Sequence, residues 1–150
     1  MRQVVAALAL VAFLMGAAGP GSHAEYVGGT SAGVDPKTEG TLITNGQLCL
    51  SFRVKQGEVR IPFERINLIE YGQKADRRYL EAILISPIFL LAKKRTHFLT
   101  VGYTDDSGQQ QAMVFRVPRS DIRSVLVSLE ARTGRKVQYQ DDEARKAGKG

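Results

Sequence analysis

The chain has few of the residues that make cross-links or hold metals. Cys49 is its single cysteine, so no intramolecular disulfide can form. Leu48, Leu50 and Phe52 surround it in an alternating run, which predicts a small packed thiol rather than a reactive one. Histidine occurs only at His23 and His97, and one cysteine with two histidines excludes the usual structural zinc sites. Asp105-Asp106 is too short an acidic cluster for a calcium loop. No metal ligand and no cofactor is expected.

Catalytic motifs are missing as well. There is no Gly-x-Ser-x-Gly turn, and Gly28-Gly29 lacks the strand and helix that would make it a phosphate loop. His97 lies in an extended run beside a basic cluster and reads as a strand-end polar residue, not a base. Glu64 with Glu70, or Asp105 with Asp106, are read as acids of strand surfaces and turns rather than as a glycosidase pair. No catalytic residue is expected, and the protein is not read as an enzyme.

What is present begins with an export address. Arg2 is the only charge before Glu25, Val4 to Ala18 is an apolar run, and Gly19-Pro20-Gly21 breaks it. Ser22-His23-Ala24 then places small residues where a signal peptidase reads. The run falls short of the ~20 residues of a comfortable membrane span. Residues 1–24 are therefore expected to be a removed leader, taking His23 with them. The mature chain would then act in the periplasm or outside the cell, with 126 of the 150 residues, one domain's worth. The net charge of +6 falls to +5 without Arg2. That excess suits acidic partners but is also an ordinary solubility charge, and after export nucleic acid is not an expected partner.

Residues 25–39 are rich in Gly, Ser and Thr without apolar periodicity and predict a flexible linker. From Gly40 a period of two takes over. Thr41 to Thr44 reads as a short strand joined through Asn45-Gly46, a tight-hairpin dipeptide, to the alternation Leu48, Leu50, Phe52, Val54. Gln56-Gly57 marks the next turn, and Val59, Ile61 and Phe63 alternate after it. Ile66, Leu68, Ile69 and Tyr71 require a change of face near Leu68, which a bulge supplies. His97, Leu99, Val101 and Tyr103 form a strand, Asp105 to Gly108 a hairpin loop, and Met113, Phe115 and Val117 the return. Ser120 then caps a helix with an apolar stripe of Ile122, Val125, Leu126 and Leu129, stopped by Gly134. Residues 140–150 read as a charged, disordered tail.

Leu80 to Ala92 fits neither pattern cleanly. Ile83, Leu84, Ile85, Ile88, Phe89, Leu90 and Leu91 crowd around Ser86-Pro87, with Lys93-Lys94-Arg95 directly after. The segment is either core or an apolar tip with a basic rim that dips into a membrane surface. In the second case Ile88 and Phe89 insert, and Lys74, Arg77, Arg78, Lys93, Lys94 and Arg95 contact the anionic surface.

Short antiparallel strands followed by one C-terminal amphipathic helix is the element order of pleckstrin-homology-like barrels. Gly40-Thr41-Leu42, Val59 to Phe63, Ile66 to Gly72, the Lys93 to Tyr103 run and Leu129 to Gly134 resemble bacterial members of that superfamily. The resemblance covers residues 40–139 and implies a mainly β domain, a small antiparallel barrel closed by the helix. It implies no catalytic site. Its phosphoinositide motif does not carry over, since the first hairpin offers little besides Arg53 and Lys55. Two functions follow as expectations. The first is a non-catalytic binding or scaffold module of the cell envelope that meets a protein, peptide or glycan. The alternative is a peripheral module that binds anionic lipid through residues 83–95.

Overall fold

The computed structural model describes residues 21–30, 33–73 and 96–149. Eight strands form one sheet: β1 (Ser22–Gly29), β2 (Thr38–Ile43), β3 (Cys49–Val54), β4 (Gly57–Pro62), β5 (Ile66–Gly72), β6 (Phe98–Thr104), β7 (Gln110–Arg116) and β8 (Gln138–Tyr139). A 3-10 turn at Phe63–Arg65 and two helices, α1 (Ile122–Thr133) and α2 (Asp142–Lys149), complete the described elements. The strand order is β4-β3-β2-β1-β7-β6-β5-β8, antiparallel throughout except for β5 with β8.

Local chemistry accounts for most of these elements. Phe98 to Thr104 pairs with Arg116 to Gln110, and Asp105 organises the loop between them. Its carboxylate accepts the amides of Ser107 and Gln109, both at 2.9 Å, the Ser107 hydroxyl at 2.7 Å and the Gln111 amide group at 2.8 Å. The Ser107 hydroxyl and the Gln109 amide hold the Asp105 carboxyl down at about 2. The expected change of face in β5 is a register shift between Ile66 and Leu68, which turns both Ile66 and Ile69 into the core.

One face of the sheet carries the main core. Phe115 is fully buried between Phe52, with ring centroids 5.0 Å apart, and Tyr26, at 6.0 Å. α1 adds Ile122, Val125, Leu126 and Leu129 to that cluster, the stripe that helical spacing predicts. Each such side chain stabilises by ~1.5–3 kcal/mol before its entropy cost. Gly134 ends α1 in the left-handed region at φ 68°, its N–H bonded to the Glu130 carbonyl at 2.9 Å.

Several expectations require correction. The sheet is not closed into a barrel: among the described residues β4 is one free end, and β8 occupies the outer edge of β5. Residues 22–29, read as the end of a leader and the start of a linker, form β1 in the middle of the sheet, paired with β2 and β7. Gly29 serves close approach, since a Cβ there would clash with the Ala112 carbonyl. The tail forms helix α2: Asp141 accepts the Ala144 amide at 2.7 Å, Ala144 is fully buried, and Gly148 lies close against Tyr139. Asn45-Gly46 lies in a wider loop than a two-residue turn, held by α1 through Ser128 to the Thr44 carbonyl and Arg132 to the Asn45 carbonyl. Leu48 is 81% exposed, because β3 begins only at Cys49. Ser120 does not cap α1: the helix starts two residues later, and the Ser120 hydroxyl donates to Asp121.

Candidate functional site

Pairing register builds the site. Glu39, Glu25, Arg116, Phe98 and Gly72 are successive cross-strand neighbours over five strands, β2-β1-β7-β6-β5. Within this row Arg116 donates to the Glu25 carboxylate, a cross-strand ion pair whose acid is 8% exposed. Beyond the row the chain leaves β7 through Val117, Pro118, Arg119 and Ser120 and enters α1, whose first turn carries Arg123. The end of α2 lies against that turn, with Arg123 Nε donating to the Ala147 carbonyl at 3.4 Å.

These parts surround a cleft of about 1260 Å³. His23, Glu25 and Glu39 line it from β1 and β2, Gln73 and Thr96 from the ends flanking residues 74–95, and His97 from the approach to β6. Arg116 to Ser120, Arg123, Lys146 and Ala147 complete the wall. Four cations thus face two carboxylates, and one carboxylate is already paired with Arg116. No salt bridge engages Arg119, Arg123 or Lys146 among the described residues. The α1 N-terminus adds its positive dipole end, with no acid in its first turn.

His97 is the most constrained of the lining residues. It is 8% exposed, its ring stacks on Tyr71 at 5.9 Å, and the Tyr71 hydroxyl meets its Nδ1 at 2.5 Å. Burial, with the Arg119 charge adding to it, holds the imidazole below its usual range. Burial likewise pushes the Tyr71 phenol up. Both groups are therefore neutral partners at neutral pH. The Ser120 hydroxyl is engaged with Asp121, so no nucleophile–imidazole pair is formed by Ser120 and His97.

The residues singled out from the sequence fall differently. Lys74, Arg77, Arg78, Ile88, Phe89, Lys93, Lys94 and Arg95 lie outside the described residues. Their described chain neighbours, Gln73 and Thr96, both line the cleft. Glu70 is buried and accepts from the Gln140 amide at 3.0 Å, whereas Glu64 is exposed. Cys49 is half-buried with its sulfur 3.7 Å from the Ser51 hydroxyl. Among the described residues no three His, Cys, Asp or Glu side chains gather as a metal site, and no helix is long and apolar enough to cross a membrane. Sequence spacing does not single out His23, Arg116, Arg119, Arg123 or Lys146 as site residues. The run Arg116-Val117-Pro118-Arg119-Ser120-Asp121-Ile122-Arg123 is a local signal for the three arginines alone.

Compared with known proteins, the chain matches no family model and no curated protein.

Proposed function

We propose that this protein is a non-catalytic binding module whose cleft takes the anionic group of a ligand. The observation that carries the reading is the convergence of Arg119, Arg123 and Lys146 on one cleft with no salt bridge among the described residues. Acidic groups of an envelope protein, peptide or glycan match that wall. The engagement of the Ser120 hydroxyl by Asp121, and of His97 Nδ1 by Tyr71, favours binding over turnover. We read the sheet as an open relative of the pleckstrin-homology-like arrangement, since its order runs β4-β3-β2-β1-β7-β6-β5 before β8 is added.

Export is part of the same proposal and rests on Arg2, the Val4–Ala18 run and its breakers. Ala24 is fully buried and pairs with Gly40, so a leader cut ahead of Ser22 leaves β1 and His23 whole. The mass of the native N-terminus checks this: a chain starting at Ser22 or earlier keeps His23 in the cleft, and one starting at Glu25 removes it.

Titration calorimetry with inorganic phosphate at low ionic strength tests the binding reading. Saturable binding is expected that weakens with added salt and is lost in the triple variant Arg119→Ser, Arg123→Ser, Lys146→Ser. Equal heats from both proteins would contradict the assignment. Sedimentation with anionic vesicles forms the second arm, because the basic residues flanking Gln73 and Thr96 favour a membrane surface as the second reading. Vesicle binding that survives the triple variant would favour that reading.

A further inference from the structure

The outer edge of β4 has a fixed backbone phase. The Phe63 amide donates to the Leu48 carbonyl at 3.0 Å, one step beyond the Cys49–Pro62 pair and in the same register. Neighbouring residues of an antiparallel strand turn their N–H and C=O groups to opposite sides. Val59 and Ile61 therefore share the inward phase of Phe63, while Glu58, Arg60 and Pro62 face outward. Pro62 fits that phase, since an edge strand tolerates a missing N–H on its open side. Among the described residues nothing pairs with the outward N–H and C=O groups of Glu58 and Arg60. Their side chains share one face of the sheet with Arg53. Arg60 Nε donates to the Glu58 carboxylate at 2.9 Å, and an Arg53 Nη lies 3.5 Å from it. Val59 and Ile61 turn to the main core on the other face.

We propose that β4 is a pairing edge for a second copy of this chain, antiparallel about a two-fold axis at Val59, with each Glu58 opposite the partner's Arg60. Charged side chains and a proline commonly keep an edge strand unpaired. Here their order selects one register instead. An axis at Glu58 sets Glu58 against its own twin. An axis at Arg60 sets Arg60 against its twin and Glu58 against Pro62, which has no N–H to give. Opposite charges directly across a ladder stabilise it, and like charges oppose it. Of these axes, only the one at Val59 brings opposite charges together. It pairs every outward N–H and C=O of Glu58 and Arg60 in both protomers, and it leaves Pro62 opposite the turn residue Gln56, beyond the ladder. Val59 meets its twin as a non-hydrogen-bonded pair, with Cα atoms about 4.5 Å apart. The contact is isologous, so it closes on itself as a dimer. An edge contact buries little area, so the dimer is expected to exchange rapidly with the monomer.

Sedimentation velocity of the full protein over a concentration series, in reducing buffer, tests the pairing. The expected sedimentation coefficient rises with concentration towards a dimer. Arg60→Glu is expected to weaken association at least tenfold, and Glu58→Arg combined with Arg60→Glu to regain most of it. The register has its own readout in a Cys49→Ser background, which removes the single native thiol. There Val59→Cys is expected to form an intersubunit disulfide in air, since its Cα separation suits one, and Lys55→Cys in the turn is not. Circular dichroism checks that each variant folds, and where Val59→Cys does not, the charge exchange decides alone. A wild-type protein that stays monomeric across the series overturns the proposal. So does a dimer indifferent to Arg60→Glu, a double variant as weak as Arg60→Glu, or equal cross-linking through Lys55→Cys, because the copies then meet in another register or through another surface.

Discussion

Phe115 and Val114 are neighbours on β7 and point to opposite sides of one sheet, and each is almost entirely buried. Phe115 meets Phe52 and Tyr26 in a cluster that α1 completes. Val114 clusters with Val27, Phe98 and Ala112 among the described residues. The first face is built by elements whose periodicity is written locally. The second is built by strand residues that look like ordinary outward positions until the fold brings them together. Where its apolar middle ends, the same face passes into the row Glu39, Glu25, Arg116 and so into the cleft. Burial and the proposed binding site therefore share one surface.

The largest effect is expected from Phe115→Ala. Truncating a fully buried aromatic is expected to cost about 3–5 kcal/mol in denaturant unfolding. Val114→Asp comes next, at about 3 kcal/mol, from lost apolar burial and a desolvated carboxylate. Unfolding like wild type would show the second face to be open and would break the comparison.

A smaller, pH-dependent effect belongs to His97. Its folded imidazole titrates below the unfolded value of about 6.5. The unfolded chain thus binds the proton first on acidification. Stability is expected to fall as pH drops below about 6.5 and to level off below the folded pKa. His97→Gln is expected to flatten that slope, which melting temperatures at several pH values would read. The smallest effect is expected from the triple variant Arg119→Ser, Arg123→Ser, Lys146→Ser, which should unfold within about 0.5 kcal/mol of wild type because all three side chains are exposed. Its loss of anion binding would then be a loss of site, not of fold.

The sequence was legible where one element carries its own pattern. The β6–β7 hairpin, the bulge near Leu68, the α1 stripe and the Gly134 stop all follow from spacing within a few residues. β1 was illegible because Ala24 to Gly28 is buried on both faces and shows neither alternation nor an apolar run. α2 was hidden because alanine and glycine, not large apolar residues, form its buried face. The cleft was the least legible feature. His23, Glu39, His97, Arg119 and Lys146 meet only through the register of β1, β2, β6 and β7 and the seating of both helices, and no local spacing encodes that.

Both histidines of the chain line the cleft, so their imidazoles report on it directly. The most direct test of the site is the pH titration of the His97 ring protons by NMR, with sulfate and with chloride at equal ionic strength. A bound anion stabilises an imidazolium beside it. The account predicts that His97 titrates below about 6.5 in chloride, rises in sulfate, and loses that rise in the triple serine variant. Identical His97 titration curves in the two salts would contradict it.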